Sequence, residues 1–224
     1  MTQKDRLYRH ARQRLVDSLR EKGISHERTL SAIAAVPRHA FVDEALRRRA
    51  YNDEALPIGK NQTISQPYTV AYQTMLLDPQ PNDRILEVGT GSGYQSAVLC
   101  EMGARVFSIE RHAPLLDRAK EKLEALGYRV VTRWGDGAEG WPAFAPFDGI
   151  IVTAGAREIP EPLLEQLRMP DDTHRAGRLV IPVGSAKSQT MYRITRTGSD
   201  SYDSERRTEF RFVPLVRDEG DERR

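Results

Sequence analysis

The chain has 224 residues, 39% hydrophobic and 29% charged, with 34 Lys and Arg against 32 Asp and Glu and one cysteine. A chain of this length buries an ample core without disulfide or structural metal, and the lone Cys100 excludes an intramolecular bridge and a Cys/His ligand cluster, as expected of a reducing, cytoplasmic setting. A formal charge of +2 is too balanced to require nucleic acid as partner. No run approaches the roughly 18 apolar residues of a membrane span, and the charged stretch Met1–Arg6 is unlike a signal core, so neither export nor membrane insertion is expected.

Leu7, Ala11, Leu15 and Leu19 recur at the four-residue step of one helix face over residues 5–22, and Gly23 ends that helix. Ser25 is expected to cap a second helix, carrying Leu30, Ile33, Ala34 and Val36 and stopped by Pro37; a short helical turn over 41–46 follows. Residues 1–50 thus form a helical appendage without strands. Its Arg9, Arg12, Arg14 and Arg20, with Arg47, Arg48 and Arg49, read as a solvated surface, because no aromatic residues are interleaved for base stacking. Residues 51–67 lose all periodicity and become rich in Pro, Gly, Asn, Gln, Ser and Thr; a long loop in a compact protein is more often functional than idle.

From residue 69 helices and short apolar strands alternate. The pattern predicts helices over 69–77, 93–102, 113–126 and 161–168, and strands over 84–88, 105–109, 129–132, 147–152 and 178–183. This spacing argues an α/β protein with a doubly wound, Rossmann-like, mostly parallel sheet, whose ligands sit at the carboxyl ends of the strands. Residues 191–194 and 210–216 are expected as an antiparallel edge pair, and 218–224 as a charged tail closing the unit 51–217.

The first strand turns into a helix through Glu87-Val88-Gly89-Thr90-Gly91-Ser92-Gly93. Glycine lets the backbone approach a ligand closely, but position 94 is Tyr, so the dinucleotide spacing is missing, and no Gly-Lys-Ser/Thr of a phosphate loop follows. An acidic residue inside the turn, Glu87, favours a positive group over a phosphate. Glu110 ends the second strand, where a carboxylate accepts from ribose hydroxyls, and Asp136 and Gly137 follow the third, where an adenine would lie. Ammonium, ribose and adenine in that order describe S-adenosyl-L-methionine. The place after the fourth strand holds Val152-Thr153-Ala154-Gly155 and lacks the Pro-Pro-aromatic turn of enzymes that methylate base or amide nitrogens. The five histidines are scattered, so no metal is expected. A carboxylate acceptor fits, since it is ionised at neutral pH and needs no general base.

The loop Leu56-Pro57-Ile58-Gly59 with Gln62-Thr63-Ile64-Ser65-Gln66-Pro67, the glycine turn, Gly135-Asp136-Gly137, the strand 179–184 and the closing Arg211-Phe212-Val213-Pro214-Leu215-Val216 together resemble the protein-L-isoaspartate O-methyltransferases, from about residue 30 to 216. The resemblance implies a class I methyltransferase that moves the methyl of S-adenosyl-L-methionine to the α-carboxylate of L-isoaspartyl residues, releasing S-adenosyl-L-homocysteine. The ester then closes to a succinimide, whose hydrolysis returns some normal aspartate. By the same resemblance Ser65 is the active-site serine, and Gln62, Thr63, Ile64 and Tyr68 close over the cofactor beside Glu87, Gly89, Thr90, Gly91, Gly93, Glu110, Asp136 and Gly137. Ile58, Gly59, Ser65, Val213 and Leu215 are expected to grip the peptide, partly through backbone hydrogen bonds, which suit a monomer meeting many damaged sequences. Residues 169–176 depart from the family's short glycine-rich turn and read as a longer surface loop. The cofactor motifs alone would equally serve a methyltransferase acting on a small metabolite or RNA, or a binding module that kept the fold.

Overall fold

The computed structural model describes residues 3–216; the expected charged tail lies outside them. Helices α1 (Gln3–Glu21) and α2 (Glu27–Ala35) lead through two short 3-10 turns, Arg38–Ala40 and Glu44–Arg49, into a small hairpin of β1 (Leu56–Gly59) and β2 (Gln62–Ile64). Then follow α3 (Pro67–Leu77), β3 (Arg84–Val88), α4 (Tyr94–Glu101), β4 (Arg105–Glu110), α5 (Ala113–Ala125), β5 (Val130–Trp134), β6 (Gly149–Val152), α6 (Glu161–Glu165), β7 (Arg178–Gly184), β8 (Gln189–Arg196) and β9 (Tyr202–Phe210). The main sheet has seven strands in the order β5-β4-β3-β6-β7-β8-β9. It is parallel from β5 to β7 and antiparallel across β7-β8-β9. Strand order reverses between β4-β3 and β3-β6, which opens a crevice at the carboxyl end of β3.

Strand periodicity explains the layering. Along β3, Ile85 joins Leu77, Leu99 and Val180 on one face, while Leu86 and Val88 join Phe107, Ile150 and Leu179 on the other. The N-terminal helices pack onto the α/β unit: Leu15, Leu19, Leu30, Ile33 and Phe41 share one core cluster with Val70, Tyr94 and Val98 of α3 and α4.

Three expectations are corrected. The cap of α2 is His26, not Ser25, and its side chain bonds Thr29 Oγ1 at 2.7 Å rather than a backbone N–H of the helix. Residues 51–67 are not loop throughout, since Lys60 and Asn61 both take positive φ and form the two-residue turn that a twisted hairpin favours. The outer partner of β8 is 202–210 rather than 210–216. The latter segment leaves the sheet and runs beside Gly155, whose N–H donates to Val213 O (2.8 Å) and whose carbonyl accepts from Leu215 N (2.8 Å). The β9 sequence, Tyr202-Asp203-Ser204-Glu205-Arg206-Arg207-Thr208-Glu209-Phe210, is too polar to read as a strand; it is an exposed edge, where charged side chains also deter pairing between molecules. Residues 169–176 form an exposed loop as expected, anchored by Arg175 on Asp78 and Asp83.

Asp148 ties the lower ends of two strands together. One oxygen accepts from Arg84 N at 2.8 Å and the other from Arg168 Nε. Asp148→Ala is expected to cost about 1–3 kcal/mol by leaving both donors unmet, read as a lower urea midpoint at unchanged slope.

Candidate active site

Beyond Val88 the chain must turn from β3 into α4 in a space bounded by β4 on one side and the end of β6 on the other. Gly89 N and Thr90 N both donate to Ile109 O, at 2.8 and 3.2 Å, and Gly91 N donates to Glu110 Oε2 at 2.7 Å. From the opposite side Thr153 Oγ1 donates to Gly89 O at 2.7 Å. A Cβ on residue 89 would stand 2.5 Å from that hydroxyl oxygen, and φ is +97°, so only glycine fits. Gly137 is excluded from change for a similar reason, a Cβ there falling 2.3 Å from Val88 Cγ1.

Over this turn lies an open cavity at the carboxyl end of β3. Gln62, Thr63, Ile64 and Ser65 line it from the hairpin side, Glu87, Gly89, Thr90, Gly91, Glu110 and Gly137 from the sheet edge, and Val213 and Leu215 from the closing segment. Most of the residues singled out in the sequence therefore come together. Gly93 and Asp136 do not line the cavity: Gly93 is the cap just before α4 and faces Leu123, and Asp136 accepts from Ala138 N at 2.8 Å to cap a 3-10 turn. Ile58 and Gly59 also stand outside it, with the Ile58 carbonyl taken by Arg118 Nη2 at 2.6 Å.

Tyr68, expected over the cofactor, lines instead a second cavity, its ring near Tyr72 and Phe210. Arg211, Phe212 and Glu209 border the same space. The two cavities share Thr63, Ser65, Thr153 and Val213, so the Ser65 loop is the wall between them. Backbone grip on a peptide by Val213 and Leu215 is curtailed, because Val213 O and Leu215 N are already spent on Gly155.

Glu87 is fully buried. Its Oε2 accepts from Ser96 Oγ and from Ser108 Oγ (2.8 Å), while Oε1 has no partner in the protein. Burial pushes its carboxyl up to about 8, more than the two hydroxyls pull it down. A buried carboxyl with one unmet oxygen beneath a cavity is suited to a cationic group. Glu110, 5% exposed, spends its oxygens on two backbone donors, Gly91 N and His112 N (2.8 Å), which fixes the carboxylate at the cavity rim. Each oxygen keeps a lone pair for a hydroxyl. Thr153 escaped the sequence reading, although the absence of a Pro-Pro-aromatic turn at 152–155 had marked the place; its role depends on the approach of β6 to the glycine turn, which no local pattern encodes.

A ligand that brings a cation to Glu87 and paired hydroxyls to Glu110 answers both carboxyls at once, as S-adenosyl-L-methionine does, and by fold and cofactor the protein is a class I S-adenosylmethionine-dependent methyltransferase. A model of the family described as protein-L-isoaspartate(D-aspartate) O-methyltransferase matches residues 10–220. The chain is 68% identical over 221 residues to the protein-L-isoaspartate O-methyltransferase of Salinibacter ruber, covering 96% of each. To that of Pseudomonas aeruginosa it is 53% identical over 207 residues, covering 92% of this chain and 95% of the other. A solved protein-L-isoaspartate O-methyltransferase superposes with a TM-score of 0.81 at 28% identity, over 92% of this chain and 66% of that chain. A Plasmodium falciparum structure in complex with S-adenosyl-L-homocysteine shares the fold, with a TM-score of 0.78 at 24% identity over 92% and 98%. The chain belongs to the protein-L-isoaspartate(D-aspartate) O-methyltransferase family.

With its pKa raised to about 8, Glu87 of the donor-free protein carries a proton at pH 7, whereas an ammonium at Oε1 favours the ionised form. Uptake of S-adenosyl-L-methionine at pH 7 is therefore expected to release a proton, and its affinity to rise by up to about tenfold per pH unit between pH 6 and about 8. Calorimetry in buffers of different ionisation enthalpy reads the release directly, and Glu87→Gln should abolish it.

Proposed function

We propose that this chain repairs proteins by moving the methyl of S-adenosyl-L-methionine to the α-carboxylate of L-isoaspartyl residues, with Ser65 orienting the acceptor. The observation that carries the reading is the pair of cavities sharing the Ser65 loop as their common wall. Family membership supplies the reaction; the two spaces supply a place for each reactant.

S-adenosyl-L-methionine, when bound, supplies an electrophilic sulfonium methyl. In this reading the donor cavity takes it, with Glu87 answering the ammonium, Glu110 the ribose hydroxyls, and Gly137 leaving room for the base. The acceptor carboxylate reaches the shared wall from the second cavity, already ionised, so no side chain has to remove a proton. The Ser65 hydroxyl donates to one carboxylate oxygen and leaves the other free to attack, an orientation effect. Thr63 and Thr153 border the same opening and narrow the directions of approach. The C–O bond of the ester forms as the C–S bond of the sulfonium breaks, and neutral S-adenosyl-L-homocysteine leaves.

The tyrosine and phenylalanine rings of the second cavity give the peptide an apolar surface, replacing part of the backbone grip expected from Val213 and Leu215. Residues 1–50 are read as a helical appendage on the methyltransferase unit 51–217. The enzyme is further read as a cytoplasmic monomer with damaged proteins and peptides as its partners and no nucleic acid. No helix among the described residues is long and apolar enough to cross a membrane.

Incubation with labelled S-adenosyl-L-methionine and an isoaspartyl peptide, beside its aspartyl twin, is expected to label the first alone; equal labelling, or none, overturns the assignment. Ser65→Ala should lower kcat by about 10- to 100-fold, and a variant with undiminished turnover would remove the role given to that hydroxyl.

A further inference from the structure

Arg38 heads the largest fully buried side chains and has no exposed surface at all. A guanidinium does not shed its charge inside a protein, so its burial is costly unless the donors are met, and an apolar side chain of similar volume often serves stability as well or better. No side-chain carboxylate takes these donors, and Nη1 has no hydrogen-bond partner in the protein. Nε donates to Ala50 O at 2.8 Å, and Nη2 donates to Ser65 O at 2.8 Å and to Glu54 O at 3.4 Å. Two of these carbonyls bracket the start of the segment that leads to the hairpin, and the third belongs to the serine at its end.

The same guanidinium lies over the Tyr94 ring, 4.7 Å from its centroid. Tyr94 is the first residue of α4, directly after the glycine turn, and lines the donor cavity. One planar, rigid group therefore touches both the backbone of the acceptor-side serine and the element that begins at the donor turn. The loop is also tied farther along: Asp53 Oδ1 accepts from Tyr68 N at 2.8 Å, and Oδ2 accepts from Gln66 Nε2 at 3.0 Å and from Lys22 Nζ at 2.5 Å. Those contacts hold the loop to the residue that follows α1 and to the start of α3 but do not reach the donor turn.

We propose that Arg38 is a positioning residue for methyl transfer, registering the Ser65 backbone against the donor turn through Tyr94, so that the N-terminal segment is part of the transfer machinery. The inference rests on the role given to Ser65 above. Alignment matters here because in-line transfer needs the acceptor oxygen, the methyl carbon and the sulfur held in line, and a displacement of about 1 Å can cost about 100-fold in rate. Lysine is no substitute: a compact ammonium on a flexible stem lacks the rigid planar fork that meets these carbonyls from over the Tyr94 ring.

The test measures Arg38→Lys in both the wild-type and Ser65→Ala backgrounds. Its readouts are the Kd for S-adenosyl-L-methionine by calorimetry and kcat and KM on an isoaspartyl peptide at saturating donor, which also stabilises the fold by mass action. Expected in the wild-type background is a kcat loss of about 10- to 100-fold, with donor Kd and peptide KM within about threefold. With Ser65→Ala the same replacement should cost less than about threefold, because a residue acting through the serine has nothing left to position. A general loosening of the fold would multiply through both backgrounds. Wild-type kcat in folded Arg38→Lys, or losses that multiply in the double variant, overturn the inference. Should Arg38→Lys not fold, Tyr94→Leu carries the test. It leaves the cation and its carbonyls in place and removes the ring, so the same non-multiplying loss is expected, and unchanged or multiplying kcat overturns the inference. A wild-type protein inactive on isoaspartyl peptide would overturn the repair reading and the inference together; an active wild type with an unimpaired Arg38→Lys overturns the inference alone.

Discussion

The turn after β3 is squeezed from two sides. Thr153 holds the Gly89 carbonyl from the end of β6, and Ile109 and Glu110 hold three successive amides from the end of β4. Backbone amides and a carbonyl are thus consumed in fixing the turn itself, and side chains are excluded by distance. What remains for a ligand is a floor with carboxyls at two points, Glu87 below and Glu110 at the rim. The constraint excludes a side chain at Gly89 and leaves the polar contacts of the floor to Glu87 of β3 itself and Glu110 of the neighbouring β4.

Glu87 shows what such a floor demands. A carboxyl with no exposure and one unmet oxygen is unfavourable in the donor-free protein, and the protein accommodates it by shifting the carboxyl toward its neutral form. Ser96 from α4 and Ser108 from β4 hold the other oxygen, so the orientation is set before any ligand arrives. A buried carboxyl with an unmet oxygen is ill suited to a phosphate, which separates this turn from phosphate-binding turns of the same outline.

Local periodicity made the alternating half of the chain legible. Residues 84–88 form a strand within its expected bounds, and the helices over 94–101 and 113–125 fall within a residue or so of expectation, because β3 and α4 are short continuously buried segments bounded by turn residues and α5 shows one apolar face, Leu115, Leu116, Ala119 and Leu123. The edge was read less well. Phe210 to Val216 is the more apolar stretch and looked like the strand, yet Tyr202–Phe210 pairs with β8; a solvent-facing edge strand has little apolar face to reveal it. The hairpin at 56–64 was hidden for a different reason, since its two strands are only four and three residues long and its turn rests on two non-glycine residues in the left-handed region.

The order of residues was enough to define the doubly wound core, the glycine turn and the chemical character of its carboxyls, because these follow from patterns a few residues long. It also carried the resemblance on which Ser65 was chosen. Folding alone decided that Tyr68 faces the second cavity, that Val213 and Leu215 are partly spent on Gly155, and that Arg38, from a segment read as an appendage, lies between Ser65 and Tyr94. Those facts depend on contacts between residues far apart in the chain, whose distances are set by how the helices and sheet pack and not by any local periodicity.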